Sequence, residues 1–230
     1  MKNNRILALG YRCAAFILCL LGILDTAGVL RGAPSWTILL YYTTQSNILV
    51  LAMLGALIVR TAAALKRGGA AGGSSFFERL SAIVTLSIFV TFMLYWTMLA
   101  PLMAGTPFLF SFANLQVHGV TPLLMIFDYF VFSERGKMKK QDPWLFAIVP
   151  YAYAVQSTIL GFSGAVTYYG GRFPYFFLDF DASGAFVFVY LAVFTLFFLG
   201  LAFLLRWYDR RKGRRSGARS DARETAGRDT

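Results

Sequence analysis

The sequence predicts an all-α fold: a polytopic membrane bundle of six transmembrane helices with both termini in the cytoplasm. Composition, six apolar windows and an alternation of basic connections predict it. Of 230 residues, 57% are hydrophobic, 17% aromatic and only 14% charged, a balance that excludes an ordinary soluble domain. Crossing ~30 Å of hydrocarbon takes about 20 apolar residues in a helix. Such windows recur at residues 6–24, 38–60, 80–100, 112–132, 145–164 and 185–205. Cytoplasmic connections retain Lys and Arg, and here the basic residues fill every second connection. They are Lys2 and Arg5; Arg60, Lys66, Arg67 and Arg79; Arg135, Lys137, Lys139 and Lys140; and the tail from Arg206. The intervening loops hold only Arg31, then no basic residue near Met103, then Arg172 beside Asp179 and Asp181, and are expected to face outward.

The first window follows two basic residues, as a signal peptide would. Arg12 interrupts it and no A-x-A site follows, so it reads as a membrane helix. Cys13 and Cys19 lie six residues apart on different faces of that helix, where they form neither a disulfide nor a metal site. Arg12 and Asp128, both toward the cytoplasmic side of their spans, are expected to pair or to act as anchors. Asp25 reads as a helix-end carboxylate. After the second window "KRGGAAGGSS" is a flexible linker. The fourth window contains Pro122, whose missing N–H leaves the His118 carbonyl without its helical partner and predicts a kink. The fifth carries Gln156 and Ser157 near its outer end. The aromatic and Gly-rich loop after it, 167–183, suits a lid, with Tyr168, Arg172, Tyr175 and Asp179 as candidate lining. Residues 1–207 form the transmembrane domain and 208–230 a basic tail, unstructured beyond Ser216. The net charge of +11 is mostly this topology signal. Anionic lipid headgroups account for the basic tail, so membrane lipids are the expected partners and nucleic acid is not.

One stretch departs from the apolar pattern. "YYTTQSNILVL" places Thr43, Thr44, Gln45, Ser46 and Asn47 at the start of the second window, where an unpaired polar group is costly. At ~1.5 Å per residue Thr43 lies roughly 8 Å inside the outer boundary, and His118, the one histidine, lies at ~9 Å in the fourth span. Topology thus brings two polar features to one depth. Thr43 and Asn47 share a helix face, and Asn114 and Thr121 flank His118 one turn away on either side. The plainer use of such hydroxyls and amides is as hydrogen-bond glue between helices. An intramembrane histidine instead points to a site.

The segments "YYTTQSNILVL", "HGVTPLLMIFDYFVF" and "FPYFFLDFD" together resemble the Pr6Pr family of six-span bacterial membrane proteins, over nearly the whole chain up to the tail. More distantly they resemble the androgen-induced-gene-like (FAR-17a-like) membrane proteins, threonine- and histidine-dependent hydrolases of fatty-acid esters of hydroxy fatty acids. The resemblance implies a lipid-like ester substrate and a bacterial plasma-membrane location. It also implies Thr43 or Thr44 as nucleophile and His118 as base; the family pattern Thr-x-Gln-Ser-Asn favours Thr43, with Thr44 the rival.

A threonine hydroxyl needs a base within ~3 Å to act at neutral pH, and imidazole supplies one. Asp128 is ~15 Å too deep to orient that ring, so the chemistry would be a Thr/His dyad. Gln45, Asn47, Asn114 or backbone donors near Pro122 are the candidates to hold an oxyanion. Gln156, Tyr175 and Asp179 complete the expected substrate-binding set. No metal and no cofactor is expected. The alternative is a non-catalytic protein that binds a lipid or small solute in the same outer pocket. A transporter, by contrast, would show polar residues from face to face.

Overall fold

The computed structural model describes residues 4–166, 168 and 171–226, of which 215–226 by backbone alone. Six helices in it are long and apolar enough to cross a membrane: α1 (Arg5–Thr26), α2 (Tyr42–Gly68), α3 (Glu78–Met103), α4 (Phe112–Phe132), α5 (Asp142–Ser163) and α6 (Phe186–Arg214). The fourth has the bounds read from the sequence. The second begins later than expected, because residues 38–40 belong to a tight 3₁₀ turn, Trp36–Leu40, at the mouth of the bundle. The Tyr41 carbonyl then accepts the first helical bond, from the Gln45 N–H. The sixth continues as helix to Ala226, past Ser216, where the composition suggests unstructured chain. Extending a formed helix avoids the cost of nucleating one.

α2 and α3 form a shared wall between two apolar cores. On one side Ala15, Cys19 and Ile23 of α1 and Met125 of α4 pack against Val50, Leu54, Leu57 and Ile88. On the other side Leu86 and Val90 pack with Tyr153 and Ala154 of α5, Phe198 and Ala202 of α6, and Phe177 and Leu178 of the α5–α6 loop. Side chains on the outer faces, such as Ile17, Leu123, Ile159 and Leu196, are exposed, as a lipid-facing surface requires. Two glycines permit close approach. A Cβ at Gly22 would lie 2.4 Å from Gln116, and one at Gly161 would lie 2.2 Å from the Phe173 ring, where the α5–α6 loop docks on its helix.

The four basic segments gather at one end. Arg5 donates to the Gly69 and Gly73 carbonyls of the α2–α3 linker. The linker's Ser75 Oγ accepts from the Glu134 N–H, and Arg206 Nε donates to the Lys139 carbonyl. Arg79 of α3 grips the Asp142 carboxylate at the start of α5 with a forked contact. Near this end lies the ionic pair anticipated from the sequence. Arg12 Nε donates to Asp128 Oδ1 at 2.7 Å and Nη2 to Oδ2 at 3.3 Å, while Nη1 reaches Thr61 Oγ1 and the Ser74 carbonyl. Both side chains are fully buried. The forked geometry and the extra acceptors are what make a buried ion pair tolerable.

Removing one partner alone strands a charge in hydrocarbon. Asp128→Leu should therefore cost about 3–5 kcal/mol of stability, and Arg12→Met combined with Asp128→Leu should recover most of it. Thermal unfolding in detergent checks both. Cysteines at Lys66 and Met103 should be labelled by impermeant thiol reagents from opposite sides of the membrane, Lys66 from the cytoplasm; labelling from one side would contradict the expected orientation.

Candidate active site

The end opposite the basic segments holds the polar cluster. Its geometry begins with Pro122. The residue before the helical stretch that contains it, Val120, closes a wide π-helical turn, Gln116–Val120, and α3 has a similar wide turn, Tyr95–Leu99, just before Pro101. Such turns re-aim side chains and free carbonyls from the regular ladder. Around this turn three carbonyls accept from side chains. Asn114 O accepts from His118 Nδ1 at 3.2 Å, Val117 O from Asn47 Nδ2 at 3.0 Å, and His118 O from Trp96 Nε1 at 2.9 Å. The last is the carbonyl that Pro122 leaves without a helical partner. The indole of α3 replaces the missing amide.

A carbonyl only accepts, so the contact to Asn114 O places the proton of a neutral His118 on Nδ1. Nε2 is left as an acceptor, and Thr43 Oγ1 lies 3.2 Å from it. The Tyr95 ring stacks on the imidazole with centroids 3.7 Å apart and planes 17° apart. His118 is thus held on one edge by a backbone carbonyl, on one face by a phenol, and meets a threonine hydroxyl at its other edge.

Thr43 is the second residue of α2 rather than lying a full turn inside it, so the depth estimate is corrected while the proximity to His118 stands. At that position its N–H has no intrahelical acceptor. Thr44, the rival, is buried with no hydrogen-bond partner for its hydroxyl. The other members of the polar run tie helices together. Ser46 Oγ pairs with Thr91 Oγ1 of α3 at 2.6 Å and donates to Thr43 O. Asn47 Nδ2 also donates to Thr43 O, at 2.8 Å. Gln45 Nε2 donates to Leu39 O and to Gln156 Oε1 of α5.

Thr43 also lines a small apolar cavity between the α2–α3 wall and α5–α6. Tyr42, Tyr95, Tyr153 and Tyr175 line it together with Thr43, and Leu94, Leu99, Phe146, Phe194, Phe198 and Leu199 are among its apolar walls. His118 does not line it; the imidazole stands behind Thr43 and Tyr95. The α5–α6 loop forms part of the wall through Tyr175, Phe177 and Leu178. Tyr41 joins it, meeting Tyr168 and Tyr175 edge-on at 5.2 and 5.9 Å.

Several expected binding residues are elsewhere. Asp179 caps the short helix Phe180–Ser183, its Oδ1 accepting from the Asp181 and Ala182 N–H groups. Arg172 pairs with Asp181 at the surface, which holds that carboxyl below its usual range. Gln45, Asn47 and Asn114 serve as scaffold, the last donating to Leu109 O at 2.8 Å, and Gln156 faces a shallow groove on the outside of α5. Asn47 is not free for a ligand, since its amide donates to Thr43 O within α2 and to Val117 O across to α4. Thr167, Tyr169 and Gly170 lie outside the described residues. Sequence reasoning missed Tyr95 and Trp96. The signal was there: an aromatic pair close before a second intramembrane proline.

Comparison with protein-family models, with curated proteins and with solved structures finds no match.

Trp96→Phe should leave the His118 carbonyl unpaired and cost about 1–3 kcal/mol. A lowered unfolding midpoint, compared with Trp207→Phe at an exposed position, checks it.

Proposed function

We propose that this protein is an integral membrane hydrolase of fatty-acid-type esters, with Thr43 as nucleophile and His118 as general base and acid. The observation that carries the reading is the 3.2 Å contact between Thr43 Oγ1 and His118 Nε2 at the wall of an apolar cavity. The resemblance to the threonine- and histidine-dependent hydrolases supports it, as does the apolar lining of the cavity beside Thr43. An acyl chain would lie among Leu94, Phe194 and Phe198 while its ester meets Thr43. In a bacterial plasma membrane, with the basic end in the cytoplasm, this pocket opens toward the outer leaflet.

The reaction follows from the tautomer. His118 Nε2 takes the proton of Thr43 Oγ1 as the oxygen attacks the ester carbonyl, and the carbonyl π electrons move to its oxygen. Collapse of that oxyanion breaks the bond to the alcohol, which takes the proton from His118. Water then gives a proton to His118 and attacks the acyl-threonine. A second collapse releases the carboxylic acid and returns the proton to Thr43. The Asn114 carbonyl stabilises the transient imidazolium through Nδ1–H. It does so less strongly than a carboxylate would, so the dyad is expected to be slow.

Turnover of a long-chain p-nitrophenyl ester by the purified protein in lipid should fall by at least ~10³-fold in Thr43→Val and in His118→Ala. Thr44→Val should retain it. Equal turnover in all three would contradict the dyad and favour a pocket that binds a lipid without cleaving it.

A further inference from the structure

We infer that Tyr175 is a further catalytic residue of this site, its hydroxyl forming with the Thr43 backbone N–H the oxyanion hole for the carbonyl that Thr43 attacks. The inference rests on the hydrolase reading above.

The side-chain amides that sequence reasoning offered for this task are occupied. Both hydrogens of Asn47 Nδ2 go to the Thr43 and Val117 carbonyls, and Gln45 Nε2 is spent on Leu39 O and Gln156. Donors must come from elsewhere. Tyr175 lines the same cavity as Thr43, with its hydroxyl near the Thr43 hydroxyl and backbone N–H. That N–H is one of the orphan donors of the first turn of α2, at the positive end of the helix dipole. The phenol and the N–H thus stand on one side of the nucleophile. A carbonyl oxygen entering from the cavity accepts from both as Thr43 Oγ1 attacks its carbon.

The other cavity phenols serve different neighbours. Tyr95 lies by Asn114, and Tyr153 lies by Ser157, the Tyr42 backbone and the Tyr175 hydroxyl itself, which it helps to orient. Tyr175 is held from several sides, stacked on Phe177 with centroids 5.0 Å apart, edge-on to Tyr41 at 5.9 Å and tilted against Tyr153 at 6.2 Å. Fixed donors aimed at developing charge contribute most when they need not reorganise. Burial pushes the phenol up to about 12, so it stays protonated, and a donor, across the neutral range.

The test is steady-state hydrolysis of the same long-chain p-nitrophenyl ester by the full chain in lipid, comparing wild type with Tyr175→Phe. The ring and its packing are kept, so the expected result is a fall in kcat of about 10²–10³-fold with KM within about threefold of wild type. An unchanged kcat in Tyr175→Phe, beside an active wild type, overturns the oxyanion role and leaves the Thr43–His118 reading intact. Absence of turnover in wild type overturns both. Should Tyr175→Phe fail to fold, 3,5-difluorotyrosine at position 175 keeps ring and hydroxyl while strengthening the donor. An altered kcat then supports the role and an unaltered one overturns it.

Discussion

The site depends on an amide hydrogen that Pro122 does not have. A helix in hydrocarbon must pair every carbonyl internally, and a proline in its interior removes one donor and crowds the preceding turn. Here the turn widens into a π-helical stretch, and side chains of α2 and α3 pair the exposed carbonyls. Each repair positions a residue of the site. Trp96, reaching the His118 carbonyl, places its neighbour Tyr95 against the imidazole. Asn47, reaching Val117 O, draws the first turn of α2 against α4 and brings Thr43 with it. The Asn114 carbonyl fixes the ring of His118 itself. The dyad is thus a product of how the backbone is satisfied.

The bundle carries its polarity in two separate places. At the basic end Arg12 and Asp128 are buried, mutually paired and fully supplied with acceptors, an arrangement that joins α1, α2, α4 and the linker. At the other end hydroxyls and phenols collect around the start of α2, and the Tyr95 and Tyr153 hydroxyls there are buried without a hydrogen-bond partner among the described residues, as Ser74 Oγ and Arg135 Nη1 are at the basic end. A satisfied network stabilises and specifies; an unsatisfied one costs free energy unless a ligand completes it. The first is architecture; in the function proposed above, a polar group carried on an apolar chain would complete the second.

Much of this was legible in the sequence because membrane physics is severe. Span number, the gathering of basic segments at one end, the Arg12–Asp128 pair and the approach of Thr43 to His118 follow from hydropathy, charge alternation and a rise of ~1.5 Å per residue. What the sequence concealed depends on side-chain rotation and local backbone irregularity. Asn47 and Gln45 look like ligand-binding amides in a linear reading, yet their donors are consumed by carbonyls that only a wide turn or a helix start exposes. Asp179 was read as part of the pocket because it ends "FPYFFLD", whereas its carboxylate caps a helix of four residues, Phe180–Ser183. Trp96 was silent because an indole in a membrane span is ordinary; its partner carbonyl, 22 positions away, is not visible in its own neighbourhood.

Covalent labelling interrogates the nucleophile itself. Purified protein in lipid, treated with a long-chain fluorophosphonate and digested for mass spectrometry, should carry one phosphonyl adduct, on Thr43. That adduct should be lost in His118→Ala, because among the described residues His118 is the base that the hydroxyl meets. An unlabelled Thr43 in wild type, or labelling of Thr43 undiminished in His118→Ala, would contradict the account.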